Sequence, residues 1–229
     1  ALAFEAVKLL LEKLALNASS FSTITCSAIT YGEPLSKSII SGKCVVPGTF
    51  MWDTPDAVPS NNDYTEYQLI FTPTDTANIS SYLFTAHPKV YKAPLKLIKN
   101  DIEGSDIDYG KPIGESKISG SSPVSSIDGK AVSGAWYWID ETHVPSVPEA
   151  SKTSYGVVYI PDDIENYQYY ITSCDLTVNK IKPIFQTEDI TLTYSEEPVN
   201  LNVYTNSPGK ISARINEEGI VYLENNRFK

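Results

Sequence analysis

Two histidines, three cysteines and one methionine are all that 229 residues offer to nitrogen or sulfur ligation of a metal, thiol chemistry or imidazole catalysis. Cys26, Cys44 and Cys174 are odd in number and are not spaced as metal-ligand pairs. A Cys26–Cys44 bridge is open to the chain, as are buried free thiols. No GxSxG elbow, HExxH pair or phosphate-cradling glycine loop occurs. Positive charge is also short: the net charge of −10 would be repelled by a phosphate backbone, and no Lys/Arg stripe compensates, so nucleic acid is not an expected partner. No apolar run reaches membrane-spanning length, so no membrane insertion is expected of this segment. Glu5 and Lys8 interrupt any signal-peptide core. The chain therefore reads as an internal segment of something longer.

What is present favours strands. Tyrosine and proline each number 15, and Thr, Ser, Ile and Val are common. The 41% hydrophobic content is enough for ordinary cores, and the length allows two or three compact units. A duplication organises them. SAITYGEPLSKSIISG from Ser27 matches SDIDYGKPIGESKISG from Ser105 without a gap, Tyr31 falling on Tyr109 at a shift of 109 − 31 = 78. Phe50 and Trp52 then align with Trp136 and Trp138 at 138 − 52 = 86, and Asp53 finds its counterpart Asp140 one residue further on. The difference is taken up by SSPVSSIDGKAV, Ser121 to Val132, which reads as a lengthened surface loop. YQLIFTPTDTANI from Tyr67 matches YGVVYIPDDIENY from Tyr155 at 155 − 67 = 88. Units of roughly 70 to 80 residues are domain-sized rather than solenoid repeats.

The resulting organisation is a helical linker or remnant of an upstream module over 1–20, β-sandwich repeats over 24–94 and 102–183, and a partial third unit over 184–229. Phe4, Val7, Leu10, Leu11 and Leu14 give Leu2–Ala15 a helical period. Beyond residue 23 the period is two. Tyr67 and Phe71 share a face, as do Tyr155 and Tyr159. Phe50, Trp52, Trp136 and Trp138 point into the cores as aromatic plugs, with Met51 and Tyr137 on the opposite side. In the third unit Val199, Leu201 and Val203 alternate with Asn200, Asn202 and Tyr204, and Ile211, Ala213 and Ile215 repeat the pattern after the turn at Ser207–Gly209. Lys92-Ala93-Pro94 and Lys180-Ile181-Lys182-Pro183 read as short linkers in which proline limits the hinge.

AITYGEPLSKSIISG followed by PGTFMW, AVPS and YQLIFTPTDTANI resembles the tandem repeats of large surface proteins of Gram-positive, often gut-dwelling, bacteria. The third unit, TYSEEPVNLNVYTNSPGKISARINEEGIVYLENNRFK, is similar to the bacterial immunoglobulin-like domains of adhesins. The resemblance implies an all-β chain of tandem immunoglobulin-like sandwiches in an extracellular, cell-wall-attached or secreted stalk. Its partners would be neighbouring domains of the same protein and a host or dietary glycan or protein. No catalytic residue and no cofactor come with it.

Three chemistries compete with that expectation. Asp75 and Asn78 recur as Asp163 and Asn166, and such oxygens could hold Ca²⁺; closing a turn onto their own backbone needs no ion. Asp140 and His143 set a carboxylate beside an imidazole, yet Ala57 stands where His143 stands in the other copy. Tyr137 and Tyr169 could form an aromatic platform for carbohydrate, the alternative function. An internal amide or ester cross-link of the kind that stiffens some surface stalks also has its residue types present.

Overall fold

The computed structural model describes residues 13–146, 152–187, 199–200, 203–207, 210–212, 223–224 and 227–228. The helical period of Leu2–Ala15 falls mostly outside them. Its last residues are extended, with Leu14 in a parallel bridge to Ile79. All the described elements are strands apart from three-residue 3-10 turns such as Leu35–Lys37 and Ile113–Glu115, so the described fold is all-β. None of the described helices is long and apolar enough to cross a membrane.

In the first copy, proline and glycine punctuation cuts the chain into β1 (Thr25–Cys26), β2 (Ile29–Thr30), β3 (Ile40–Ser41), β4 (Gly48–Trp52), β5 (Tyr67–Pro73), β6 (Tyr82–Ala86) and β7 (Val90–Tyr91). β4, β5 and β6 form an antiparallel sheet in which Phe50 faces Phe71 and Trp52 faces Leu69. β1 pairs with β3, and β2 pairs in parallel with β7. β8 (Leu95–Lys96) links the copies. The second copy repeats the plan with β9 (Glu103–Gly104), β10 (Ile107–Asp108), β11 (Ile118–Ser119), β12 (Val124–Ser125), β13 (Gly134–Trp138), β14 (Lys152–Pro161) and β15 (Tyr170–Asn179). Its longer β15 joins the two halves, pairing with β14 on one side and with β9 and β10 on the other.

Each copy has its own core. Ile29, Leu35, Trp52, Leu69 and Val90 fill the first. Ile102, Ile113, Trp138, Val157 and Leu176 belong to the second. The period-two pattern sorts the flanking residues: Phe71 and Tyr159 are 1% exposed, whereas Met51 and Tyr137 are 59% and 51% exposed. Phe50, Trp136, Tyr67 and Tyr155 are half-buried at the core margins. Phe50 lies 4.9 Å from Phe71 and Trp136 lies 5.0 Å from Tyr159 between ring centroids. In the first copy Phe21 closes the end of this aromatic stack, 4.6 Å from Phe84 and 5.2 Å from Phe71.

Two glycine pairs serve this packing. Gly32 and Gly110 sit in matching turns at φ of 92° and 89°, a backbone region that side chains disfavour. A Cβ on Gly48 would lie 2.3 Å from the Phe71 ring, and one on Gly134 would lie 2.9 Å from Tyr159, so the aromatics cross the strands where no side chain stands.

Each indole is anchored by a polar network that the copies share. Trp52 Nε1 donates to the Ser38 carbonyl at 3.2 Å, and Trp138 Nε1 donates to the Ser116 carbonyl at 2.8 Å. The Ser38 and Ser116 hydroxyls donate to the carbonyls of Ser27 and Ser105, each at 2.6 Å. The Ser27 and Ser105 hydroxyls then accept from the amides of Ile39 and Lys117. Ser38 and Ser116 are buried, each 4% exposed, whereas Ser27 and Ser105 lie at the surface.

The Ser121–Val132 segment differs from the expected surface loop. Pro123, Val124, Ser125 and Val132 are buried, and β12 pairs antiparallel with β8. The Ser126 amide donates to the Pro94 carbonyl, and Tyr159 Oη donates to the Val132 carbonyl at 2.6 Å. The extra residues are thus built into the seam beside the inter-copy segment because their apolar residues find a surface there.

The chain divides into two compact units, Ala1–Val178, which holds both copies, and Asn179–Lys229. In the second unit β16 (Phe185–Thr187) pairs antiparallel with β18 (Val203–Thr205), and β20 (Arg227–Phe228) lies between β17 (Val199–Asn200) and β19 (Leu223–Glu224). Leu201, Asn202, Ala213 and Ile215 of the expected alternation lie outside the described residues.

Replacing Trp138 by Phe keeps an aromatic ring and deletes its N–H, leaving the buried Ser116 carbonyl short of a donor. The expected loss of unfolding free energy is about 1–3 kcal/mol. Tyr137→Ala on the outer face should change it by under about 0.5 kcal/mol. Urea titrations of both variants measure the contrast.

Candidate functional site

The residues with reactive chemistry are engaged in local structure. Asp75 Oδ1 accepts from the Asn78 amide at 3.1 Å, and its Oδ2 accepts from Asn78 Nδ2 at 2.8 Å. Asp163 and Asn166 repeat the pair at 3.2 and 2.8 Å. Both oxygens of each carboxylate therefore close the turn that comes after β5 or β14. The Asn78 hydrogen bonds hold the Asp75 carboxyl below the ordinary aspartate range. Among the described residues no group of three or more Asp, Glu, His or Cys side chains is placed to hold a metal ion.

His143 lines an open depression of about 340 Å³ with Ile113, Asp140 and Tyr155, its ring 5.5 Å from that of Tyr155. Asp140 Oδ1 accepts from the Thr142 hydroxyl at 2.8 Å and from its amide at 3.2 Å, and these bonds lower its carboxyl. The His143 carbonyl accepts from the Ile113 amide at 2.9 Å, and in the first copy the Ala57 carbonyl accepts from the Leu35 amide at 2.8 Å. Histidine and alanine supply this backbone contact equally.

All three cysteines are free thiols, Cys26 and Cys44 half-buried and Cys174 buried. Burial pushes the Cys174 thiol up to about 11, which keeps it from forming the reactive thiolate near neutrality. Tyr67 Oη donates to Asp63 at 2.8 Å, and burial followed by that bond raises its phenol to about 12.

Tyr137 and Tyr169 are 51% and 59% exposed. Tyr137 faces Val158, which faces Ile171, so an apolar row crosses the outer face of β13, β14 and β15. Met51, Ile70 and Leu83 form the same row on β4, β5 and β6 without an aromatic residue.

The most elaborate constellation lies where the copies meet. Asn61 donates from its amide to Asn166 Oδ1 and from Nδ2 to the Glu165 carbonyl, both at 2.8 Å. Asn62, held at φ 60°, donates from Nδ2 to Glu165 Oε2 at 2.6 Å. Lys92 Nζ reaches the Ile164 carbonyl at 2.6 Å. The Ala93 amide donates to the Asn166 carbonyl at 2.8 Å, and the Gln168 amide donates to the Ala93 carbonyl at 3.0 Å. Tyr31 meets Tyr167 edge to face at 5.3 Å, and Ile127 from the inserted segment closes over Gly32. Lys92-Ala93-Pro94 is therefore a docked strap. The sequence singled out Asn166 as a turn residue or calcium ligand and assigned no contact between the copies to it, to Glu165 or to Asn61 and Asn62, whose partners lie more than a hundred positions away; no periodic signal marks such a loop contact.

Comparison with known proteins finds no match to a protein-family model, to a curated protein or to a solved structure.

Asp63, Asp75 and Asp140 all have carboxyls depressed by hydrogen bonds. A group depressed in the fold stabilises it above the unfolded value and ceases to do so as pH falls through the folded value. Stability should hold from neutrality down to the ordinary aspartate value of 3.8 and decline progressively below it. Asp75→Ala should flatten that acid limb, as thermal melts across a pH series would record.

Proposed function

We propose that the chain is a noncatalytic segment of a bacterial surface stalk or adhesin, in which immunoglobulin-like sandwich modules space and present other domains outside the cell. The observation that carries the reading is the joint. Side-chain clamp, strap and aromatic contact lie on different elements, and relative motion of the copies would have to break them together. A short linker docked along its neighbour transmits position better than a free one. The carboxylates of Asp75, Asp140 and Asp163 are already held by turn partners, which favours scaffold over hydrolase. The resemblance of the repeat motifs supports a location at the cell surface, cell-wall attached or secreted, with neighbouring domains of the same protein as the first partners.

The apolar row through Tyr137 favours a second reading, in which the outer face of the second copy binds carbohydrate. On a glycan array, retention that Tyr137→Ala weakens at least tenfold would establish it, and an array without a bound glycan would remove it.

For the spacer reading, ¹⁵N relaxation of the intact chain should give the two copies one common tumbling time. Joint replacement of Asn61 and Asn62 by Ala should separate their tumbling while each copy keeps its amide dispersion. Protease treatment of intact source cells should release peptides of this chain. Independent tumbling in the unaltered chain, or peptides found only after lysis, would refute the reading.

A further inference from the structure

The strap at the joint has a counterpart at the start of the described chain. The Leu14 amide donates to the Asn78 carbonyl at 2.7 Å and the Ser80 amide donates to the Leu14 carbonyl at 3.0 Å. At the joint the same two bonds join Ala93 with Asn166 and Gln168, at 2.8 and 3.0 Å. Lys13 Nζ reaches the Thr76 carbonyl at 2.7 Å, as Lys92 Nζ reaches that of Ile164 at 2.6 Å. Three residues after each lysine, Leu16 and Leu95 are buried, 9% and 7% exposed. The straps lie 92 − 13 = 79 positions apart and their turns 166 − 78 = 88, so one docking geometry is kept across different spacings.

The contacts explain what the turn recognises. Asp75/Asn78 and Asp163/Asn166 fold the backbone so that one carbonyl and one amide face outward in strand geometry. The central strap position is read through its backbone, which excludes proline; at the Asp75 turn its side chain is free to vary, Leu14 being 58% exposed, whereas Ala93 at the joint is fully buried. The preceding lysine is read by its reach, its Nζ donating to a turn carbonyl in both straps. The turn edge is thus an acceptor for an extended segment with lysine at its head, a backbone-paired residue next and an apolar residue three positions on.

A third segment has this form. Lys180 comes after β15 as Lys92 comes after β7, at 180 − 92 = 88, with Ile181 next and Pro183 three positions on. Lys180–Pro183 lies outside the strands and is exposed at every residue. With Lys180 and Lys182 it is a basic segment in a chain of net charge −10, and the turn it would meet carries the Asp75 carboxylate. We propose that Lys180–Pro183 is a donor strap that docks on the Asp75–Ser80 turn of a second copy of this chain when that copy's own Lys13–Leu16 strap is displaced. The exchange goes beyond the spacer reading and does not depend on it.

The test uses the whole chain carrying Leu14→Pro, which removes the amide that the Asn78 carbonyl receives. Sedimentation should show this variant forming dimers or longer assemblies at concentrations where the unaltered chain is monomeric, and Leu14→Pro combined with Ile181→Pro should return to monomer. A synthetic peptide of residues 178–184, added to ¹⁵N-labelled Leu14→Pro chain, should shift the Ser80 amide. The same peptide should shift it several-fold less in the unaltered chain, and a peptide with proline at its Ile181 position should leave it in place. If circular dichroism finds Leu14→Pro unfolded, Lys13→Glu carries the same comparisons with every backbone donor intact. A folded variant that stays monomeric, or a Ser80 response equal in both chains or with both peptides, would overturn the proposal.

Discussion

An indole buried in a small all-β core has one N–H that must find an acceptor there, and the architecture of each copy depends on where that acceptor lies. Trp52 and Trp138 sit on edge strands β4 and β13, facing a short 3-10 turn whose end offers the Ser38 or Ser116 carbonyl. For that carbonyl to face inward, the serine hydroxyl must tie back to Ser27 or Ser105, which fixes the approach to β2 or β10. One donor thus sets the distance between the two sides of the core. A buried polar group without a partner costs more than the bond contributes, so the whole chain of contacts is kept together.

That requirement also explains which features the sequence makes legible. Strand alternation and aromatic pairing are local, period-two signals, and Phe71, Tyr159, Met51 and Tyr137 fall on the faces that the period assigns. The Ser27/Ser105 and Ser38/Ser116 identities stand in the duplicated motif with the turn glycines, but serine carries no burial signal of its own. Its meaning appears only when the opposing tryptophan is in place. The Ser121–Val132 insertion misleads for a related reason: its serines and glycine suggest a solvent loop, while Pro123, Val124 and Val132 are buried against surfaces distant in sequence.

The straps are hidden by their chemistry. Their docking uses backbone amides and carbonyls, so it leaves almost no side-chain pattern beyond a lysine and an apolar residue three positions later. Lys13 and Leu14 also fit a helical period, which local reasoning cannot set aside without knowing that Asn78 and Ser80 present a pairing edge. Tertiary pairing overrides local preference where an extended segment gains two hydrogen bonds and buries Leu16.

The same turn therefore has two duties. Asp163 and Asn166 close the chain after β14, and the edge so formed receives the strap, while Asn166 Oδ1 also takes the Asn61 amide. Because Asn166 serves the turn by its amide and Nδ2, the strap by its carbonyl, and the neighbouring copy by Oδ1, one residue couples the folding of the second copy to the orientation of the first. Asn78 has the first two duties and lies at an end where no earlier copy is described. A scaffold assembled from such turns gains its order at the joints as each module folds, which suits a chain proposed to act through the placement of its modules.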